Sequence, residues 1–166
     1  MAHISNNSGN QEWYTPVEYI NSAFKVMGSI DLDPASSVLA QQTVQAKDFY
    51  CVETNGLKQK WVGNIWLNPP YARGLIDKFI NKLEEQVDLG YTQSYIVLTN
   101  NATETKWGQK LIKMSDSICF PSYRIRFLRP EGKKGSPLQA QMFCYRGLSK
   151  DSFRQEFIKY GVILEC

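Results

Sequence analysis

Apolar residues in this chain alternate between helix-spaced stripes and short dense runs. Tyr19, Ile20, Ala23, Phe24 and Met27 fall on one face of a helix. Its start is marked by Thr15 as N-cap, Pro16 at the first helical position and Glu18 completing a capping box, and Gly28 is its stop. A short strand, Ile30 to Asp33, ends at Pro34, and residues 36–46 carry a weak helical pattern before a strand at Phe49-Tyr50. Ile65-Trp66-Leu67 reads as a buried strand. Leu75, Ile76, Phe79, Ile80, Leu83 and Val87 then form an amphipathic helix that stops at Gly90. Tyr95-Ile96-Val97-Leu98 is the clearest buried strand. A helix over 104–114, with Trp107 and Leu111 on one face, leads to a strand at Ile118-Cys119-Phe120. Tyr123 to Leu128 and Gln141 to Tyr145 are expected to form an antiparallel pair with a long Gly/Pro/Lys connection. A last helix, capped by Ser149 or Ser152, runs through Phe153, Phe157 and Tyr160 to Gly161, and Val162-Ile163-Leu164 is expected as an edge strand.

This alternation predicts an α/β layered fold with no internal repeat and no long linker. The 166 residues suffice for one domain with a real core, placed at 12–166, and Met1 to Gln11, polar and rich in Asn, Ser and Gly, is expected to be flexible. The hydrophobic fraction (43%) and charged fraction (21%) are those of a soluble globular chain, and no apolar stretch approaches the ~20 residues of a membrane span. Cys51, Cys119, Cys144 and Cys166 have no paired spacing, and His3 is the only histidine. That pattern argues against a zinc site, a disulfide framework and a catalytic histidine in the body of the protein, and it fits a reducing cytoplasm. The net charge of +3 conceals an asymmetry: residues 1–105 carry −4, residues 106–150 carry +8 and the remainder −1. The basic segment is expected to face a polyanion, with part of it (Lys106, Lys110, Lys113) open to reading as a solvated helix face.

Three groups of residues carry candidate chemistry. Asn68-Pro69-Pro70-Tyr71 follows the Ile65–Leu67 strand. The Asn68 amide oxygen and the Pro69 carbonyl can both accept hydrogen bonds, the prolines bring no N–H, and Tyr71 offers a flat face. Such a turn suits a planar amine: accepting both of its hydrogens frees the nitrogen lone pair to attack a methyl group. A rigid turn after a strand is the structural alternative. The four residues do not by themselves choose between adenine in DNA, a base in RNA and a glutamine amide. Asp31-Leu32-Asp33-Pro34-Ala35 is expected to place two carboxylates at and beyond a strand end, suited to the ammonium or ribose of a nucleoside-type donor, with Asp33 as a helix cap the alternative. No glycine-rich phosphate turn follows this strand, which argues against a pyrophosphate cofactor and leaves the phosphate-free S-adenosylmethionine in place. Trp13-Tyr14-Thr15-Pro16 could pack on such a donor, or simply start the first helix. Arg124, Arg126, Arg129, Lys133 and Lys134 lie within eleven residues, and alternation puts Arg124 and Arg126 on one side of an extended segment. That arrangement suits phosphate contacts and base-edge reading, or else a charge-protected edge strand.

The order of these pieces resembles the phage-type DNA N6-adenine methyltransferase family. The likeness spans roughly residues 7–147: Asn7 to Asn10, Glu12 to Pro16, Asp31 to Ser36, Phe49-Tyr50, Asn55-Gly56-Leu57 before Trp61, Asn68 to Tyr71, Arg124 to Phe127, and Gly135-Ser136-Pro137. The resemblance implies a Rossmann-like fold with a mostly parallel sheet, an antiparallel C-terminal pair and helices on both faces. It implies S-adenosylmethionine as donor and adenine in double-stranded DNA as substrate; no metal is expected from the His and Cys pattern, and the expected location is cytoplasmic, that of the bacterial host if phage-encoded. On it, Trp13 to Pro16, Asp31, Asp33 to Ala35 and Asn55 to Leu57 would line the donor pocket, Asn68 to Tyr71 would be catalytic, and a loop around 124–141 would recognise DNA. Two departures stand out: Asn55 where many relatives have aspartate, and Gln139-Ala140-Gln141 where many have Phe-Gly-Ser or similar. Methylation of an RNA base or of cytosine N4, and an inactive DNA-binding relative, are the competing readings.

Overall fold

The computed structural model describes residues 14–72, 74–128, 135 and 139–166. Met1 to Gln11, Trp13, Arg129, Lys133 and Lys134 lie outside the described residues. Helix α1 spans Val17–Met27, strand β1 Leu32–Asp33, α2 Val38–Val44, β2 Asp48–Phe49, β3 Gly63–Leu67 and α3 Leu75–Asp88. Then come β4 at Thr92–Asn100, α4 at Lys106–Met114, β5 at Ser117–Pro121, β6 at Gln141–Arg146, α5 at Lys150–Phe157 and β7 at Gly161–Glu165. A 3₁₀ turn, Gly56–Lys58, precedes β3.

All seven strands join one sheet in the order β2-β1-β3-β4-β6-β5-β7. The β2-β1-β3-β4 half is parallel, and every pairing from β4 to β7 is antiparallel. The mixed α/β sheet was expected, but it is not mostly parallel: three of its six strand pairings are antiparallel, and the antiparallel part comprises β6, β5 and β7 rather than one pair.

The dense apolar runs arise because both faces of the sheet are covered. Trp66, Ile96, Leu98, Phe143, Tyr145 and Cys119 point to one side, where they pack with Tyr19, Ile20, Ala23 and Val26 of α1 and Phe153 and Phe157 of α5. Ile65, Leu67, Tyr95, Val97, Met142, Cys144 and Ile118 point to the other and meet Ile76, Phe79, Ile80 and Leu83 of α3 and Leu111 of α4. The two-residue period of each strand therefore feeds two cores from one sequence.

Two local expectations are corrected. Thr15 does not cap α1. Pro16 occupies the N-cap in an extended conformation (ψ 144°), with no side-chain cap bond, so the Thr15–Glu18 capping box is not made. The reason is long-range: Tyr14 is drawn into a bridge with Leu128, and the Thr15 hydroxyl accepts from Asn68 Nδ2 at 3.4 Å. The C-terminus of α1 follows expectation, with Gly28 at φ 78° and its N–H on the Phe24 carbonyl at 2.7 Å.

Nor do residues 123–128 pair with β6. That strand is buried on both faces and is held between β4 and β5 instead. The 123–128 segment makes one isolated bridge, Tyr14 with Leu128, yet it buries Ile125 and exposes Arg124 and Arg126 as the alternation requires. Its Ile125 N–H finds the Gln141 side-chain oxygen rather than a neighbouring strand.

Candidate active site

The topology dictates where a crevice opens. From β1 the chain passes through α2 to β2 on one side; from β3 it passes through α3 to β4 on the other. The carboxyl ends of adjacent parallel strands β1 and β3 thus flank a switch point, where open α/β sheets bind their ligands. Asp33 is the last residue of β1 and Asn68 the first after β3.

Asn68 is half-buried, and its amide donates to Thr15 Oγ1, itself 5% exposed. The Asn68 Oδ1 accepts no hydrogen bond among the described residues. Pro69 beside it is buried. Tyr71 is held at both ends of a short path: its hydroxyl donates to Thr99 Oγ1 at 3.2 Å and accepts from the Asn100 N–H at 2.9 Å. Loss of hydration at that hydroxyl pushes it up to about 12, so it stays a neutral phenol across the physiological range. The ring remains 43% exposed. The motif therefore presents a free acceptor and a fixed, accessible aromatic face.

Asp33 is 3% exposed, and burial raises its carboxyl to about 7 despite hydrogen bonds that favour the ionised form. Gln41 Nε2 reaches its Oδ2 at 3.1 Å and the Ala35 N–H its Oδ1 at 3.4 Å. The same Gln41 amide donates to Ser36 Oγ at 2.8 Å, and its oxygen accepts from the Ala46 N–H at 2.9 Å, which locks the turn after β1. Pro34 is buried, and Gly56 lies against its carbonyl so tightly that a Cβ at position 56 would collide with it. The 3₁₀ turn is anchored from below by Trp61, whose indole N–H donates to the Gly56 carbonyl at 2.8 Å. Asn55 is exposed in the left-handed region (φ 51°) at the head of this turn, and Leu57 packs partly against the α3 core.

Asp31 is placed elsewhere. It precedes β1, at the opposite end of the sheet from Asn68. Its carboxylate takes the Asn64 N–H at 2.8 Å, Ser29 Oγ at 3.0 Å and Lys47 Nζ at 2.7 Å. Partial burial pushes this carboxyl up, but these bonds and the Lys47 charge together hold it below the usual carboxylate range. The structure brings Asp33 and Asn68 to one edge and Asp31 to the other.

The basic segment is likewise divided. Lys110 pairs with Glu84 of α3 and hydrogen-bonds Asn81. Arg146 donates to the Met114 carbonyl and Lys150 lies 3.9 Å from Asp116, both at the amino-end edge of the parallel strands. Of the described members, Arg124 and Arg126 stand beside the Asn68 edge, brought there by the Tyr14–Leu128 bridge and by Gln141. Sequence reasoning overlooked Gln41, Thr99 and Asn100. For Thr99 and Asn100 the available signal was positional: polar residues directly after the buried run of a strand, at the ligand-bearing edge.

No helix among the described residues is long and apolar enough to cross a membrane, and no group of three or more His, Cys, Asp or Glu among them could hold a metal ion. A family model described as DNA N-6-adenine-methyltransferase (Dam) matches residues 3–156. No curated protein and no solved structure matches the chain.

Proposed function

The chain belongs to the DNA N-6-adenine-methyltransferase (Dam) family, and we propose that it transfers a methyl group from S-adenosylmethionine to N6 of an adenine flipped out of double-stranded DNA. One observation carries the reading: at the β1/β3 switch point, the Asn68 oxygen, without a partner among the described residues, belongs to a turn shared with Tyr71, whose ring is exposed and whose hydroxyl is anchored on β4. An exocyclic amine needs acceptors and a stacking face, and this turn supplies both.

The residues at the carboxyl end of β1 fit a phosphate-free donor. The turn has no glycine-rich cradle for a pyrophosphate, and it holds one buried carboxylate whose ionisation a neighbouring cation would favour. Asp33, Pro34 and Ala35, with Asn55, Gly56 and Leu57 packed against them, would hold S-adenosylmethionine, and Tyr14, Thr15 and Pro16 would close the side nearest Asn68. When bound, the donor supplies an electrophilic methyl group. Asp31 has a structural part in this reading, since its oxygens are taken by Ser29, Lys47 and Asn64.

The chain's own residues do three things. Thr15 holds the Asn68 Nδ2 at 3.4 Å, which would leave the amide oxygen for the crevice. Asn68 Oδ1 and the Pro69 carbonyl accept the two N6 hydrogens, which localises the lone pair on nitrogen. Tyr71 holds the base plane, and the proton lost from N6 leaves to water. Most of the acceleration then comes from orientation and exclusion of solvent, with no general base. Arg124 and Arg126, with Arg129, Lys133 and Lys134, would contact the phosphates and base edges that flank the target.

The test is incubation with methyl-labelled donor and duplex DNA, followed by digestion to nucleosides. Label in N6-methyl-2′-deoxyadenosine is the expected result. Label in N4-methylcytosine or in RNA alone would replace the substrate, and donor-free, unlabelled DNA bound by the protein would mark an inactive DNA-binding relative.

A further inference from the structure

We infer that Gln141 is a positioning residue that fixes the Arg124–Arg126 segment relative to Tyr71, and so couples recognition of the DNA backbone to the base pocket; the inference rests on the function proposed above. Gln141 is 6% exposed, a buried amide at the first position of β6, opposite Asn100 in the last rung of the β4–β6 ladder. Its side chain is satisfied on both ends. Oε1 accepts the N–H of Ile125 at 3.0 Å, and Nε2 donates to the Gln139 carbonyl at 2.6 Å and to Asn100 Oδ1 at 3.5 Å. The Asn100 N–H in turn donates to the Tyr71 hydroxyl at 2.9 Å. A continuous path therefore runs from the Tyr71 ring through Asn100 and Gln141 to the backbone between the two arginines.

Among the described residues, 122–128 have no ladder partner apart from the Tyr14–Leu128 bridge, and their other backbone bonds lie toward the ends of the segment: the Ser122 N–H donates to the Tyr160 carbonyl at 2.9 Å and the Gly135 N–H to the Phe127 carbonyl at 2.8 Å. The Ile125 side chain is 1% exposed and anchors the segment, but an apolar contact sets depth rather than rotation. A directional bond to the backbone at 125 sets which way Arg124 and Arg126 project. Ala140, next to Gln141, accepts from the Asn101 N–H at 3.1 Å, so the brace is attached to β4 at two successive residues.

The experiment compares wild type, Gln141→Met, Arg124→Ala/Arg126→Ala and the combination. Affinity for a fluorescein-labelled mixed-sequence duplex, kcat and KM on plasmid DNA, donor affinity and Tm are measured for each. Gln141→Met, similar in length and unable to hydrogen-bond, is expected to weaken duplex binding and raise the DNA KM about tenfold, while kcat and donor affinity stay within about twofold. In the Arg124→Ala/Arg126→Ala background the same substitution is expected to add less than about twofold, because its effect travels through those arginines. Unchanged duplex affinity, or an effect that multiplies in full with the arginine changes, would overturn the inference and leave Gln141 as a plain structural residue. If Gln141→Met loses donor binding along with Tm, Gln141→Glu decides by the same readouts, since it keeps the acceptor for Ile125 N–H but not the donor to Asn100. A wild type that binds duplex yet transfers no methyl group refutes the proposed reaction while the binding comparison still decides this inference. A wild type that binds no duplex overturns both.

Discussion

Asp31 and Asp33 sit two residues apart and lead opposite lives at opposite ends of the same sheet. At the amino end, Asp31 is closed off: a lysine, a hydroxyl and a backbone N–H share its oxygens, and its carboxyl is held below the ordinary range. Asn64 beside it is equally committed, donating to the Met27 carbonyl and Ser29 and accepting from Ser94. At the carboxyl end, Asp33 has neutral partners and no cation among the described residues, and burial leaves its carboxyl near 7. Asn68 beside it has an oxygen that accepts no hydrogen bond among the described residues. One edge gives its carboxylate a cation; the other leaves a buried carboxylate with neutral partners alone and an amide oxygen without a partner among the described residues. An arrangement of this kind lowers stability, and it is characteristic of sites that meet a ligand.

The comparison breaks first at Asn68. Replacing it with alanine is expected to lower kcat by about a hundred- to a thousand-fold, the scale of losing one pre-placed hydrogen-bonding group at a reacting centre. Donor affinity measured by calorimetry should stay within about twofold. Full activity in Asn68→Ala would remove the motif from the reaction.

The two aspartates give the next largest contrast. Asp33→Asn is expected to weaken donor binding by about tenfold or more, with Asp31→Asn leaving it unchanged. Their stability effects run in opposite directions. The folded state holds the Asp33 proton up to about 7, whereas the unfolded chain releases it near 3.8. Across that window the folded state binds more protons, so its stability falls as pH rises through 7. Asp33→Asn should flatten this decline and raise stability at pH 8 by up to about 4 kcal/mol. Asp31 contributes stability above its unfolded pKa and loses it as pH falls through the lower folded value, so Asp31→Asn should cost about 1–2 kcal/mol at neutral pH. Thermal melts from pH 4 to 8 check both slopes; parallel slopes would refute the contrast.

Tyr71→Phe is the mildest change. It keeps the ring but leaves Thr99 Oγ1 and the Asn100 N–H without their partner. A loss of about fivefold in kcat/KM is expected, with donor affinity unaltered.

Much of the fold was legible because a sheet covered on both faces writes itself as apolar runs, and Tyr95 to Leu98 or Ile65 to Leu67 needed no partner to be recognised. What escaped depends on contacts between distant residues. Thr15 satisfies every local rule for a helix cap, yet its hydroxyl answers to a residue 53 positions away. Asp31 and Asp33 are equivalent in a pattern of alternation. Their difference is set by β1 starting at Leu32, which puts one carboxylate before the strand and the other at its end. The +8 segment looked like a single basic face because charge counting ignores direction, and the helix and strand within it send Lys110, Arg146 and Lys150 away from the crevice. Gln41 and Gln141 carry neither charge nor periodicity, so nothing in the letters marked them.

The two-sided sheet has a consequence for how the protein could be timed. Cys119 on β5 and Cys144 on β6 are both fully buried, but each faces a different core, Cys119 toward α1 and α5 and Cys144 toward α3 and α4. Burial pushes the Cys119 thiol up to about 12 and the Cys144 thiol up as well, so neither reacts at neutral pH while the layers are closed. Cys166, exposed, and Cys51, partly exposed, serve as prompt internal standards. The chain thus carries one slow thiol clock per layer, mounted on neighbouring strands. Alkylation followed by mass spectrometry should show the two clocks running at one rate if the layers open as a single cooperative unit, and the faster of two rates would name the layer that opens first.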